Sequence, residues 1–112
     1  MYKEVKGFIK DTHSMAYIAD AASQYHDTRA SEHDCDSRNF NWHRFQGYQA
    51  RAVMYEFMAK GRETSIKNTY TEFNAIDAKK RKVARAEAEL YRANSVEYWE
   101  SAQKYRELWL AR

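Results

Sequence analysis

The chain contains no proline, so no residue in it forces a helix to end or kink. Only three of its 112 residues are glycine, whereas alanine, which has the highest helix propensity, occurs sixteen times. This composition excludes all-β and collagen-like folds, and the length is enough to bury the core of one small domain. We therefore predict an all-α fold with a single helical domain over residues 1–112.

The first half of the chain predicts two helices joined by a polar loop. Apolar or small residues recur every three or four positions from Val5 to Ala22, which indicates a helix over about residues 3–28. Residues 30–39 have no such period and are rich in side chains that hydrogen-bond their own backbone, which predicts a loop. A second helix is expected to begin between Ser37 and Asn41 and to end at Gly61, where glycine can adopt the left-handed conformation.

The second half of the chain predicts a long C-terminal helix. The helical spacing resumes at about Thr64 and continues to Leu110. Asn94 and Glu97 have the spacing of a capping box, which would start a separate helix or mark a kink near Asn94. We therefore predict an antiparallel bundle of three helices, or of four if the last one breaks.

The second helix is apolar on two sides. Phe45, Tyr48 and Tyr55 share one side, whereas Val53 and Phe57 lie nearly opposite. Such a helix is either sandwiched within a bundle or buried against a second chain, so a homo-oligomer is a further expectation. Close helix contacts are expected at six alanines: Ala19, Ala22, Ala52, Ala59, Ala84 and Ala102.

Cysteine usage and hydropathy predict where the chain resides. A single cysteine, Cys35, cannot form an internal disulfide and is typical of a reducing compartment. No apolar run approaches the roughly 20 residues needed to cross a bilayer, and the N-terminal residues alternate charged with apolar side chains, unlike a signal peptide. We expect a cytoplasmic location without a membrane partner.

The sequence contains no motif of an enzyme or of a cofactor site. A glycine-rich phosphate loop, a dinucleotide-binding fingerprint and an E-x-x-H di-iron pattern are all absent. Cys35 with His33 or His43 supplies the residue types of a thiol nucleophile and its base, but any small chain with these residues offers as much. We predict no enzymatic activity and no cofactor.

Metal-ligating residue types gather around the first loop. Imidazole, thiolate and carboxylate groups suit zinc, but their spacing matches no paired metal-binding pattern, so we interpret them as a polar connection and predict no metal. The group consists of His26, His33, Asp34, Cys35, Asp36 and His43.

The surplus of aromatic residues is the strongest indication of function. Nine tyrosines, three tryptophans and five phenylalanines exceed what a three-helix core of this size easily hides, and such residues are enriched at protein interfaces. We predict a non-enzymatic protein that binds a larger partner protein. Inhibition of that partner is one form of this hypothesis. Short aromatic-rich helical chains are similar in composition to accessory and inhibitor proteins encoded by viruses of bacteria. The predicted partner-binding residues are Val53, Met54, Phe57, Met58, Trp99 and Trp109.

A basic run supports an alternative function. Five positive charges within two helical turns are able to neutralise phosphates, and the net charge of the chain is +3. The interpretation without a binding role is a solvated helix surface, because consecutive charged residues point in all directions around a helix. The alternative is a small nucleic-acid-binding protein that acts through Lys79, Lys80, Arg81, Lys82 and Arg85.

Overall fold

A computed structural model describes residues 12–35, 37–68 and 75–111, and these residues form three helices. Helix α1 spans Thr12–Ala30, α2 spans Arg38–Asn68 and α3 spans Ala75–Leu110. The described part of the chain contains no strand. The all-α prediction is confirmed, and the predicted residues 3–11 of the first helix lie outside the described residues.

The second helix begins where it was predicted but does not end there. Ser37 caps it, because its Oγ accepts a hydrogen bond from the backbone N–H of Phe40 at 3.1 Å. The predicted end at Gly61 is wrong: α2 continues to Asn68, and no described glycine has a positive φ. Glycine ends a helix only where the chain takes up its left-handed conformation, and here the helical hydrogen bonds continue through it.

Helix α3 continues without interruption through Asn94. The predicted start at Thr64 is wrong, because Thr64 belongs to α2, and residues 69–74 lie outside the described residues. Ser95, the residue after Asn94, lies within α3. Its buried Oγ donates a hydrogen bond across the bundle to the backbone carbonyl of Ala52 at 2.9 Å.

Helix α2 lies between the other two helices. It packs against both α1 and α3, whereas α1 and α3 share little contact with each other. Both pairs are antiparallel, since His26 contacts His43 near the α1–α2 loop and Phe40 contacts Tyr105 near the end of α3. The two apolar sides of α2 are therefore covered by α1 and α3 of the same chain, which is one of the two predicted alternatives.

The buried centre consists mainly of alanine and serine, with Met15 and Asn41 as larger members. Among the described residues most aromatic rings lie half-buried along the helix contacts, whereas Tyr17, Tyr25 and Trp99 are exposed. Small side chains let the helix backbones approach closely, and this leaves the large rings at the edges of each contact. All six alanines predicted to face a neighbouring helix are buried: Ala19, Ala22, Ala52, Ala59, Ala84 and Ala102.

Candidate functional site

A ladder of tyrosine rings fills the contact between α2 and α3. Tyr48 stacks on Tyr105 and on Tyr98, with ring centroids 5.6 and 6.0 Å apart. Tyr55 stacks on Tyr98 with its centroid 5.6 Å away and contacts Tyr91 at 6.0 Å. These distances are in the range of favourable aromatic pairs. Tyr91, Tyr98 and Tyr105 of α3 are therefore part of the fold.

Two arginines of α2 connect the ladder to α1. Asp27 of α1 accepts hydrogen bonds from Arg44 at 3.4 Å and from Arg51 at 3.0 Å. The guanidinium group of Arg44 lies over the Tyr48 ring at 4.7 Å, and that of Arg51 lies over Tyr98 at 5.5 Å. One carboxylate thus holds two cations against the aromatic rings, an arrangement that joins all three helices.

The predicted residues Phe57 and Met58 line an open hollow of about 420 Å³. They lie on α2, and the hollow reaches Ala16 of α1 and Tyr91 of α3. Arg62 lies at its edge, where its Nε donates to Glu87 at 3.0 Å. The lining is mostly apolar and aromatic, with the hydroxyl of Ser65 and one charged group, which is the usual composition of a recognition surface.

The other predicted partner-binding residues do not join this hollow. Val53 and Met54 are half-buried on α2, and Val53 lies about 140° around the helix from Met58 at 100° per residue. Trp99 is exposed, and its indole N–H donates to Oε1 of Glu56 at 2.7 Å. The structure therefore does not bring the predicted set together at one surface: Val53 and Met54 lie elsewhere on α2, and Trp99 lies on α3.

Trp109 lies at the opposite end of the bundle from the hollow. Its half-buried ring stacks on Phe45, with centroids 6.3 Å apart and an interplanar angle of 22°. The guanidinium group of Arg38 lies 5.5 Å from the centroid of the Trp109 ring. Trp109 therefore helps to hold the end of α3 against the start of α2.

The basic run lies on the first turns of α3 and is divided around the helix. Arg81 donates a hydrogen bond to the backbone carbonyl of Ile66, so it closes the end of α2. Lys79 and Lys80 line one surface hollow, whereas Arg85 lines another. Lys82 is exposed. The five cations therefore do not form one continuous face.

Three histidines meet at the α1–α2 loop. The Nδ1 atoms of His26 and His43 lie 3.1 Å apart, and His33 stacks on His43 with centroids 5.6 Å apart. Burial lowers the pKa of both His26 and His43, and each has a neighbouring histidine that lowers its pKa further. Asp27 and Glu32 act in the opposite direction, on the pKa of His26 and His43 respectively.

This histidine cluster is not arranged as a metal centre. In the part of the chain that the structure describes, no group of three or more His, Cys, Asp or Glu side chains is placed to hold a metal ion. Cys35 is exposed, and Asp36 lies outside the described residues. The same described residues contain no helix with the length and apolarity to span a bilayer.

Comparison with known proteins adds no relative. No family model, no curated protein and no solved structure matches the chain.

Sequence reasoning missed the contacts that couple α1 to α2. The placement of Arg44 and Arg51 seven residues apart indicates that they share a side of α2, but nothing in the sequence pairs them with Asp27. No pattern in the sequence predicts the contact between His26 and His43 either. Both pairs depend on how far α1 is shifted along α2, which helical spacing alone does not define.

Proposed function

We propose that the protein is a non-enzymatic interaction protein that binds a larger partner through the hollow lined by Phe57 and Met58. The hollow itself is the observation that carries the proposal, because it is open, mostly apolar and formed by all three helices. An apolar side chain of a partner would gain burial there, and Arg62 at the edge supplies a polar contact. Inhibition of the partner is one result of such binding.

The three-helix origin of the hollow supports a rigid docking site. Tyr91 belongs to the tyrosine ladder, and Arg62 is tied to Glu87 of α3, so two of the lining residues are held by contacts between helices. A site that is already formed loses less conformational freedom on binding. Trp99 and Trp109 are secondary contacts in this proposal, on other parts of the surface.

The exposed single cysteine supports a reducing location, and we propose the cytoplasm. Binding to nucleic acid through the basic run is the competing function. Four of its cations, Lys79, Lys80, Lys82 and Arg85, remain exposed, but their division around α3 favours the protein partner.

Affinity capture from nuclease-treated lysate tests the proposal. The double variant Phe57→Ser, Met58→Ser should lose a stoichiometric protein that the unmodified chain retains, whereas Tyr17→Ser, which removes an aromatic ring that is 72% exposed on α1, should retain it. Circular dichroism verifies that both variants keep their helix content. Equal capture by both variants would contradict the proposed surface.

The same experiment separates the nucleic-acid alternative. Binding that disappears with nuclease and weakens steeply with salt supports the basic run, because the release of counterions makes such binding salt-dependent. Charge reversal at Lys80 and Lys82 should then abolish it. These two lysines are chosen because Arg81 also closes the end of α2.

A further inference from the structure

Helix α3 carries a second apolar stripe, which is exposed and at its first turns borders Arg62 of α2. Val83 and Leu90 are 54% and 59% exposed, although they are large apolar residues, and Ala86 and Ala93 beside them are also exposed. The buried residues of α3 are Ala84, Ala88, Ser95 and Ala102, and at 100° per residue Leu90 lies about 120–160° around the helix from them. This outer stripe repeats every seven residues, as in the contact line of a coiled coil.

The outer stripe has a definite order of large, small and charged residues. Its first series of positions, seven residues apart, contains Ile76, Val83, Leu90 and Glu97. The second series contains Lys79, Ala86, Ala93 and Glu100. All eight residues are exposed. We call these eight residues the outer seam.

We propose that the outer seam binds the outer seam of a second copy of this chain in the antiparallel direction. In antiparallel pairing, residues of the first series face residues of the second. With Lys79 opposite Glu97 of the second copy, Val83 faces Ala93 and Leu90 faces Ala86. Val83 and Leu90 then each face an alanine of the second copy. A Lys79–Glu97 pair lies at each end of this apolar centre.

Charge selects this direction and this register. A parallel pair would place Lys79 against its own copy and Glu97 against its own copy, and like charges in contact are unfavourable. Moving the antiparallel pair by seven residues in one direction places Leu90 against Lys79 of the second copy. Moving it by seven residues in the other direction places Val83 against Glu100. Only the proposed register places an alanine opposite both Val83 and Leu90 and a carboxylate opposite Lys79, while Ile76 faces Glu100 at each end of the seam.

Of the two carboxylates that fall near the two-fold axis, Glu87 is paired within each chain. Glu87 accepts from Arg62 at 3.0 Å, and Glu89 lies four residues after Arg85, at the spacing of a helical ion pair. The resulting contact is isologous, so it closes on itself as a dimer and does not extend into a filament. It uses a different surface from the hollow at Phe57 and Met58.

Sedimentation over a range of concentrations tests the dimer. The unmodified chain should form a dimer, and Leu90→Glu should weaken it at least about tenfold, because two charges would enter the apolar centre of the seam. Leu110→Glu is the matched control, since Leu110 is 54% exposed on the same helix but lies outside the seam. A chain that stays monomeric at its highest concentration, or a dimer that survives Leu90→Glu, would overturn the proposal.

Charge exchange tests the direction and the register. Lys79→Glu and Glu97→Lys should each weaken the dimer, because each places two like charges opposite each other. The combined variant should restore it, since every Lys–Glu contact returns with its ends exchanged. A Lys60→Glu change on α2 serves as the control for altered net charge. Failure of the combined variant to recover dimerisation would exclude this pairing, and circular dichroism confirms that each variant is folded.

Discussion

The Nδ1 atoms of His26 and His43 lie 3.1 Å apart, so one ring must donate and the other must accept. The contact therefore needs at least one neutral imidazole. Since the two residues belong to α1 and α2, protonation of both would place two positive charges where the helices meet, beside His33. Trp42 contacts both rings edge-on, with centroids at 5.5 and 4.9 Å, which adds to the burial of the pair.

We expect the free energy of unfolding to fall on acidification. The pKa values of His26 and His43 are lowered from 6.5 in the folded protein, so the unfolded chain takes up protons first as the pH falls. The contribution of the neutral histidine pair to the free energy of unfolding is therefore at its full value above about pH 6.5. It is lost as the pH falls through the folded pKa values.

Urea unfolding at about pH 7.5 and about pH 5 measures this loss. His43→Gln should reduce the difference between the two pH values, because it removes one titrating ring and keeps a polar side chain. Stability that is constant or that rises over this range would contradict the role of the pair.

Overpacking at Ala52 should be strongly destabilising. Ala52 has no exposed surface, and its carbonyl accepts the hydrogen bond from Ser95 of α3. Leucine at this position would push α3 away from α2, at a cost of about 1–3 kcal/mol in the free energy of unfolding. Ala21→Leu is the matched control on exposed surface, where the change should be within about 0.5 kcal/mol. Chemical denaturation of both variants compares them, and equal effects would contradict a close approach at Ala52.

The alanine contacts show how much of the fold follows from the sequence. Spacing along each helix predicts which side is buried, because a side chain's direction is determined by the 100° rotation per residue. It therefore located Ala52 and Ala84 correctly and gave a position between two neighbouring helices as one of two alternatives for α2. The end of α2 did not follow, since the effect of Gly61 depends on whether tertiary packing keeps the helix going beyond it.

The candidate surfaces follow from the sequence only in part. Residue type alone selected Phe57 and Met58 as partner-binding residues, and the structure places these two at one hollow. Residue type also placed Trp109 in the same set, although Trp109 lies at the other end of the bundle. The position of a residue along a neighbouring helix is what separates these groups. That position depends on the shift between helices, which arises from packing and is not visible in the spacing of one helix.

Gly47 of α2 lies against α1, beside the side chain of Asp27. A Cβ atom added at Gly47 would lie 2.8 Å from Oδ1 of Asp27, which is too close, whereas His26 Cβ and the Ser23 carbonyl oxygen would be at an ordinary 3.6 Å. The same Oδ1 accepts the hydrogen bond from Arg44, and the other oxygen of this carboxylate accepts from Arg51. The carboxylate must therefore move to admit a methyl group, and its contacts with the arginines would be strained or lost.

We therefore expect the effect of Gly47→Ala to depend on Asp27. In a helix interior, alanine is about 1 kcal/mol more favourable than glycine, and this gain should appear in full when Asp27→Ala has removed the obstructing oxygen. With Asp27 present, the gain should be smaller by at least about 0.5 kcal/mol, or reversed, because the carboxylate is displaced from Arg44. Denaturant unfolding of the two single variants, the double variant and the unmodified chain measures this coupling. If Gly47→Ala has the same effect in both backgrounds, then the carboxylate of Asp27 does not restrict the approach of α1 to α2.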